Sequence, residues 1–178
     1  ASDADDILLV SRMGQAVRFH GKRARAMGRD TSGVAGMKLR AGDEVIEVDI
    51  AADDADLLVV TDQGYGKRTR VGDYPVKGRG TMGVKTEQLV DRKGRLAGAR
   101  IVRDGYQVML ISDGGTVIKI PVDGIRRAGR ATQGVIVMRL REGEKVATLA
   151  SVVGSDEAAI EPGIEPGSEP AIEPVPAE

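Results

Sequence analysis

One segment of about fifty residues occurs three times in this chain. The pattern G-R-x-T-x-G-V returns at spacings of 50 and 51 residues, starting at Gly28, Gly78 and Gly129. A second landmark, an apolar run closed by a turn glycine, returns with the same spacings and ends at Gly14, Gly64 and Gly115. A repeat of this length is one supersecondary unit that buries its apolar face against its neighbours, so it constrains the fold more than any single element does.

Each repeat has the hydrophobic pattern of β-strands. The first run, as in residues 57–61, is short and almost continuously apolar, which is typical of a strand buried on both faces. After the turn, a second strand alternates apolar side chains with a cation, as in Ile118-Lys119-Ile120. A third strand is predicted over residues 34–39, 84–89 and 135–140, and a fourth alternates over residues 46–50. Four short strands per repeat predict an all-β fold of propeller-like blades.

The repeat divides the chain into five parts. We predict an acidic lead-in over residues 1–6 and three blades over residues 7–56, 57–107 and 108–153. Residues 154–178 carry seven acidic residues, no Lys or Arg, and repeated Glu-Pro pairs. Such a segment cannot form sheet ladders and has little apolar area to bury, so we predict a disordered acidic Pro/Glu tail. Because the chain lacks an initiator Met, we also expect it to be a piece of a longer protein.

The net charge of −1 conceals a segregated distribution of charge. Seven of the 27 acidic residues lie in the tail, which leaves 20 acidic against 26 basic residues in the body. Strand alternation predicts that Arg18, Arg68 and Lys119 point away from the core. The loop arginines could either hydrogen-bond loop carbonyls or bind a polyanion. The candidate polyanion-binding residues are Arg18, Lys22, Arg23, Arg25, Arg29, Lys67, Arg68, Arg70, Lys77, Arg79, Lys119, Arg126, Arg127 and Arg130.

The sequence offers no constellation for catalysis or metal binding. Cys is absent and His20 is the only His, so neither a Ser/His/Asp triad repeated in the blades nor a Cys/His metal site can form. We expect His20 to face solvent or phosphate, and Asp53, Asp54 and Asp56 to be solvated linkers between blades. No apolar run approaches the roughly 20 residues of a spanning helix. We therefore predict no catalytic residue, metal, cofactor or membrane contact in this segment.

The repeated G-R-x-T-x-G-V, the strand–turn–strand segment 57–69 and residues 74–80 resemble the C-terminal domain of the A subunit of bacterial DNA gyrase. The resemblance covers about residues 6–152. It implies a β-pinwheel, in which four-stranded blades exchange strands and double-stranded DNA is bent around a basic rim. Because no set of side chains in the sequence resembles a base-reading helix, we expect little sequence specificity. The resemblance also implies that the acidic tail competes with DNA for the rim.

The same resemblance implies how such a domain is used. It would be a non-catalytic part of the gyrase A subunit, which joins the gyrase B subunit in an A₂B₂ enzyme of the bacterial cytoplasm, associated with the nucleoid. ATP and Mg²⁺ would be used elsewhere in that enzyme, and wrapping of DNA would support ATP-dependent negative supercoiling.

Two departures from the family pattern leave alternatives open. Gyrase domains of this kind usually have more than three blades, and the hallmark box Q-R-R-G-G-[RK]-G is absent. Its nearest match, residues 77–83, has Thr81 and Met82 where the box has Gly and a cation. The C-terminal domain of a topoisomerase IV A-type subunit is therefore one alternative. A propeller-like scaffold that binds an acidic partner protein is the other.

Overall fold

The computed structural model describes residues 4–24 and 32–153, so the predicted tail lies outside the described residues. In chain order the strands are β1 (Asp6–Ser11), β2 (Gln15–His20), β3 (Val45–Ala51), β4 (Asp56–Thr61), β5 (Tyr65–Arg70), β6 (Val84–Lys85), β7 (Leu96–Val102), β8 (Gln107–Ser112), β9 (Val117–Pro121), β10 (Val135–Ile136) and β11 (Val146–Val152). Short 3₁₀ turns occupy Gly21–Arg23, Val71–Asp73, Asp91–Lys93 and Val122–Gly124. These two ranges contain no helix long and apolar enough to cross a membrane.

Each repeat begins with a tight antiparallel hairpin. β1 pairs with β2, β4 with β5, and β8 with β9, each over five residue pairs. The turn of each hairpin contains a glycine in the left-handed region, with φ of 81° at Gly14 and 84° at Gly64 and Gly115. A side chain would be strained at that φ, which explains why the turn glycine recurs in every repeat.

Neighbouring repeats exchange strands. The first sheet has the order β3-β1-β2-β6, and β6 comes from the second repeat. The second sheet has the order β10-β5-β4-β7, and β10 comes from the third repeat. The third sheet, β11-β8-β9, has three strands among the described residues. The predicted all-β architecture of blades with strand exchange is therefore confirmed.

The third strand of each repeat is shorter than the sequence predicted. Only the two residues of β6 and the two of β10 belong to a strand, and residues 34–39 contain one isolated bridge, between Met37 and Thr81. The segment crosses to the preceding blade and then follows its hairpin turn, where the Thr86 N–H donates to Gly14 O at 2.8 Å. A segment that lies between two sheets is apolar whether or not its backbone hydrogen-bonds to a neighbouring strand. Hydrophobic periodicity therefore overestimated the length of the strand.

The hydrophobic core lies between blades rather than within one. One buried cluster joins Leu8 and Val10 of the first repeat to Leu57 and Val59 of the second. A second cluster joins the opposite face of β4 to strands β8 and β11 of the third repeat. All six residues of β4 are consequently buried, as the continuous apolar run predicted. Because each cluster takes side chains from two repeats, one repeat cannot bury its apolar face alone.

The outer strands show which face of each blade has a neighbour. Val48, Ala99 and Leu149 occupy the same register position on β3, β7 and β11. Ala99 and Leu149 are 0 % and 2 % exposed because the preceding blade covers them, whereas Val48 is 60 % exposed. The alternation predicted in β3 places Val48 on the side that no described blade covers. We refer to the exposed apolar side chains of β3 on this side of the first repeat as the head face, which consists of Val45, Val48 and Ile50.

Candidate nucleic-acid interface

Two of the three strand cations that were predicted to face away from the core are buried. Arg18 and Arg68 are each 8 % exposed, so the prediction is wrong for both. Arg18 donates to the Asp6 carboxylate at 2.8 Å and lies 2.7 Å from a carboxylate oxygen of Asp53. Alternation assigns a side chain to one face of its sheet, but here the next blade covers that face. Lys119, at the same position on β9, is exposed.

Arg68 belongs to a network of charges between the second and third repeats. Its guanidinium lies 3.1 Å from Asp56 and 2.5 Å from Asp104. Arg127 of the third repeat shares Asp56 at 2.8 Å. The hydrogen bond from Arg68 holds the pKa of Asp104 below its usual value. The repeat pattern could have indicated Asp104, because it follows Asp53, the partner of Arg18, by 51 residues, while Arg68 follows Arg18 by 50.

The acidic residues between the first two repeats have different environments. The side chains of Asp53 and Asp54 are each 74 % exposed, as expected of solvated linkers. Asp56 is only 4 % exposed, so the linker prediction is wrong for it. His20 is exposed, as expected, and its Nδ1 lies 2.5 Å from Asp6. In the part of the chain that the structure describes, no group of three or more His, Asp and Glu side chains could hold a metal ion.

Strand exchange brings cations of neighbouring repeats together. The Lys77 N–H donates to Arg18 O at 2.7 Å, which brings the 77–79 segment alongside the end of β2. In the same way the Arg68 N–H donates to Arg126 O at 3.0 Å, which brings residues 126–130 alongside the end of β5. We refer to Lys22, Arg23, Lys77 and Arg79 as the first boundary cluster, and to Arg70, Arg126, Arg127 and Arg130 as the second boundary cluster.

Most of these clustered cations are free of acidic partners. Within residues 4–24 and 32–153, Arg127 is the one cluster member in an ion pair. Seven of the eight side chains are exposed, and Arg130 is half-buried. Carboxylates near the clusters, such as Asp56, form ion pairs with buried arginines, such as Arg68. Each boundary therefore presents uncompensated positive charge to solvent, which attracts a polyanion.

The two described loop arginines have different partners. Arg79 hydrogen-bonds carbonyl groups, which is one of the two roles predicted for the loop arginines. Its Nε donates to Arg23 O at 2.9 Å, and its guanidinium also donates to Ala35 O at 3.2 Å. Arg130 contributes its carbonyl oxygen to a hydrogen bond from Lys67. Its guanidinium, however, has no hydrogen bond or ion pair within the described residues. Arg25 and Arg29 lie outside the described residues.

Lys67 was expected in an outer basic cluster, but it is 1 % exposed and that expectation is wrong. Its ammonium donates to three backbone oxygens of residues 129–132 at 2.7 to 2.8 Å. Burial lowers the pKa of Lys67 and the nearby Glu87 charge opposes this, while burial raises the pKa of Glu87. One sequence signal could have identified this residue, since Val17 and Ile118 occupy its place in the other repeats.

An open cleft of about 600 Å³ lies between the second and third repeats, near the hairpin turns. Its charged lining residues are Arg92, Arg139, Arg141, Glu142, Glu144 and Lys145. Four cations and two carboxylates are mixed there, and none of these lining side chains forms a nucleophile–base pair. The cleft therefore adds neither a catalytic arrangement nor a charged track of one sign.

These features define a class of protein. It is a β-pinwheel whose blades exchange strands and whose described boundaries each carry a cluster of cations, most of them without an acidic partner. The chain belongs to the family described as DNA gyrase C-terminal domain, beta-propeller, whose model matches residues 5–52, 55–103 and 106–152. The resemblance seen in the sequence is thereby confirmed.

Curated relatives agree with this assignment. The chain is 43 % identical to the A subunit of DNA gyrase from Mycobacterium tuberculosis over 84 % of this chain and 18 % of that protein. It is 42 % identical to the A subunit of DNA gyrase from Escherichia coli over 85 % of this chain and 17 % of that protein. The chain thus spans less than a fifth of the length of these relatives.

Solved structures share the fold. The C-terminal domain of DNA topoisomerase IV matches with a TM-score of 0.80 at 23 % identity, over 85 % of this chain and 48 % of that chain. The DNA gyrase A C-terminal domain matches with a TM-score of 0.78 at 24 % identity, over 85 % and 52 %. At these identities the structures establish the β-pinwheel fold and do not separate the two enzymes.

Proposed function

We propose that this chain binds duplex DNA with little sequence preference and bends it, as the DNA-wrapping C-terminal region of the A protein of a DNA gyrase. The observation that supports this most directly is the pair of boundary clusters. Strand exchange places eight cations at the two described boundaries, and seven of them have no acidic partner among the described residues. Cations repeated along a scaffold match the repeated phosphates of a DNA backbone.

Low sequence preference follows from the kind of contact that the scaffold offers. Base-specific readout in the major groove needs an element, usually a helix, that carries side chains to base edges. The described residues form short strands and 3₁₀ turns, and their cations lie at the boundaries between blades. Phosphate contacts position a duplex without reading its sequence. Bending a 20–30 bp duplex costs on the order of 1–6 kcal/mol, so contacts at successive boundaries must offset that cost.

The wider assembly forms part of the same proposal. Within the gyrase A subunit, the chain would act together with the gyrase B subunit in the A₂B₂ enzyme, in the bacterial cytoplasm and at the nucleoid. Wrapped DNA would then support ATP-dependent negative supercoiling, with ATP and Mg²⁺ used by other parts of the enzyme and no cofactor in this segment. The 43 % identity to the A subunit of a DNA gyrase favours this reading over topoisomerase IV.

A salt titration tests DNA binding. Fluorescence anisotropy of a labelled mixed-sequence 40-bp duplex should give a log–log slope of Kd against salt of about 4 to 7, since each neutralised phosphate contributes about 0.9. Arg126→Gln, in the second boundary cluster, should make the slope shallower by about 0.9. Lys145→Gln is the matched control, because Lys145 is exposed and lies near the hairpin turns, away from both clusters.

Two outcomes of this titration would overturn the proposal. One is an affinity that stays constant between 50 and 200 mM salt, where we expect a loss of about 10²- to 10⁴-fold. The other is an Arg126→Gln variant that binds like the control. End-to-end energy transfer across a doubly labelled duplex then separates bending from the scaffold alternative, because a scaffold for an acidic protein would leave the duplex length unchanged.

A further inference from the structure

The loops that carry Arg79 and Arg130 have the same sequence pattern but are held in different ways. In the second repeat, the loop at residues 78–83 is held partly by its own arginine, which donates to Arg23 O at 2.9 Å and Ala35 O at 3.2 Å. Both of these acceptors belong to the first repeat. Two of the five donors of the Arg79 guanidinium are therefore used by protein carbonyls, although its side chain is exposed.

In the third repeat, a lysine of the preceding blade holds the loop at residues 129–134. The Lys67 ammonium donates to Gly129 O at 2.8 Å, Arg130 O at 2.7 Å and Thr132 O at 2.8 Å, and it lies 3.1 Å from Thr132 Oγ1. An ammonium has three protons, so these loop oxygens use all of its donors. Glu87 Oε2 accordingly lies 3.4 Å from Lys67 as an ion pair without a hydrogen bond.

Three other side chains of the second repeat hold the ends of the same loop. Glu87 Oε1 accepts from the Gly134 N–H at 2.7 Å, and Lys93 donates to Gly134 O at 2.9 Å. Thr69 donates to Ala128 O at 2.8 Å. With its backbone anchored from the second repeat, the loop does not need its own arginine for support. The Arg130 guanidinium has no hydrogen bond or ion pair in the described part of the chain.

The repeat provides an internal comparison for this arrangement. The positions of Lys67 and Glu87 are occupied by Val17 and Met37 in the first repeat, so the loop that packs on that blade lacks an ammonium to bind its carbonyls. There Arg79 supplies the hydrogen bonds. The presence of the buried lysine and the release of the loop arginine therefore occur together, at the same boundary.

We propose that Lys67 is a positioning residue that holds the third-repeat loop so that the guanidinium of Arg130 binds a DNA phosphate, whereas Arg79 is retained by protein carbonyls. This inference rests on the proposed DNA-binding function. It assigns unequal roles to two arginines that the sequence pattern makes equivalent. A guanidinium has five N–H donors, and within the described part of the chain all five of Arg130 are free to meet a phosphate in a bidentate manner. Two of those of Arg79 donate to carbonyls that hold its side chain against the first repeat, so fewer donors and less freedom of orientation are left for a phosphate.

The first part of the test compares the two arginines in the full chain. In the anisotropy titration, Arg130→Gln should make the salt slope shallower by about 0.9, which reduces the Kd ratio between 200 and 50 mM salt by about 3- to 4-fold. Arg79→Gln should leave the slope unchanged and lower the thermal midpoint instead. An Arg79→Gln slope that changes as much as the Arg130→Gln slope would overturn the proposal.

The second part tests Lys67 through a mutant cycle. Lys67→Met is combined with Glu87→Gln, so that no carboxylate is left buried without its cation, and Glu87→Gln alone is the control. In the Lys67→Met/Glu87→Gln background, adding Arg130→Gln should have no further effect on the salt slope. Without Lys67, the loop no longer holds the Arg130 guanidinium where it can bind a phosphate. In the Glu87→Gln control, adding Arg130→Gln should still remove about 0.9.

The outcomes of the two parts are distinguishable. Equal effects of Arg130→Gln in both backgrounds would show that Lys67 has no positioning role. If circular dichroism shows that the Lys67 variant is unfolded, the comparison of Arg130 with Arg79 decides the proposal alone. A wild-type chain that shows no salt-dependent binding would instead contradict the proposed function itself.

Discussion

Buried ionisable side chains in this domain are stabilised by specific partners rather than by general polarity. Lys67 is surrounded by backbone oxygens, and Arg18 and Arg68 by carboxylates. Removing one partner from such a site leaves a charge buried and uncompensated, which costs about 3–5 kcal/mol. The sequence showed that cations recur at the strand position of Arg18 and Arg68. Strand alternation did not show that those cations are internal, because the fold brings their partners, such as Asp104, to them from a loop 36 residues further along the chain.

Glu144 provides a prediction about acid stability. Its carboxylate accepts hydrogen bonds from the Ser112 hydroxyl and from the Arg141 N–H, the latter at 3.0 Å, and these lower its pKa to about 2. A carboxyl whose folded pKa lies below its unfolded value of 4.5 stabilises the fold above pH 4.5 and loses that contribution as the pH falls towards 2. Glu144→Gln should therefore flatten the loss of stability between pH 4.5 and 2.

Urea unfolding at a series of pH values measures this effect. Glu142→Gln is the control, because Glu142 is an exposed neighbour of Glu144 in the same turn. The control should keep the wild-type pH dependence. The assignment to Glu144 would be wrong if both variants lost stability with the same pH profile as the wild-type chain.

The turn glycines permit the tight turn of each hairpin, and one of them also permits a close contact between blades. Gly64 and Gly115 have the same φ of 84°. A Cβ at Gly64 would lie 2.2 Å from Met138 O, whereas a Cβ at Gly115 would meet nothing within 4 Å. The hairpin pattern predicted both turns, and the strain at positive φ is common to the two. The close approach of the third repeat to Gly64 is a tertiary contact, and the sequence of the hairpin does not contain it.

Replacing each glycine by alanine separates these two contributions. Gly115→Ala should cost about 1–2 kcal/mol from the left-handed φ alone. Gly64→Ala should cost roughly 1–3 kcal/mol more, because the third repeat must move away from the new methyl group. Chemical denaturation of both variants measures the difference in free energy of unfolding. Equal costs would mean that the contact between Gly64 and residue 138 does not contribute to stability.

The arrangement of blades decides which apolar side chains are buried in the whole molecule. Val48 of the head face and Ala99 occupy the same register position, but only Ala99 has a preceding blade against it. Large exposed apolar patches are typical of surfaces that have a partner. The solved domains with this fold are about twice as long as the part that matches here, since the chain covers 48 % and 52 % of them.

A lysine at each of these two positions tests the assignment of faces. Val48→Lys should change the free energy of unfolding by no more than about 0.5 kcal/mol, since the side chain is 60 % exposed. Ala99→Lys should cost about 3 kcal/mol or more, because it buries a charge without a partner between two blades. Thermal and urea unfolding of the full chain provide both values. A large loss of stability in Val48→Lys would show that the head face is covered.

The sequence by itself determined the three repeats, the hairpin at the start of each, the turn glycines and the segregation of charge. These are local or periodic properties, and strand periodicity and left-handed φ depend only on neighbouring residues. The tertiary structure alone decided that β6 and β10 pair with the preceding blade, that Val48 is exposed where Ala99 is buried, and which cations are free. Those outcomes depend on contacts between repeats about fifty residues apart. Thus Arg18 and Arg23, five residues apart on one blade, differ because the next blade covers the first and leaves the second exposed.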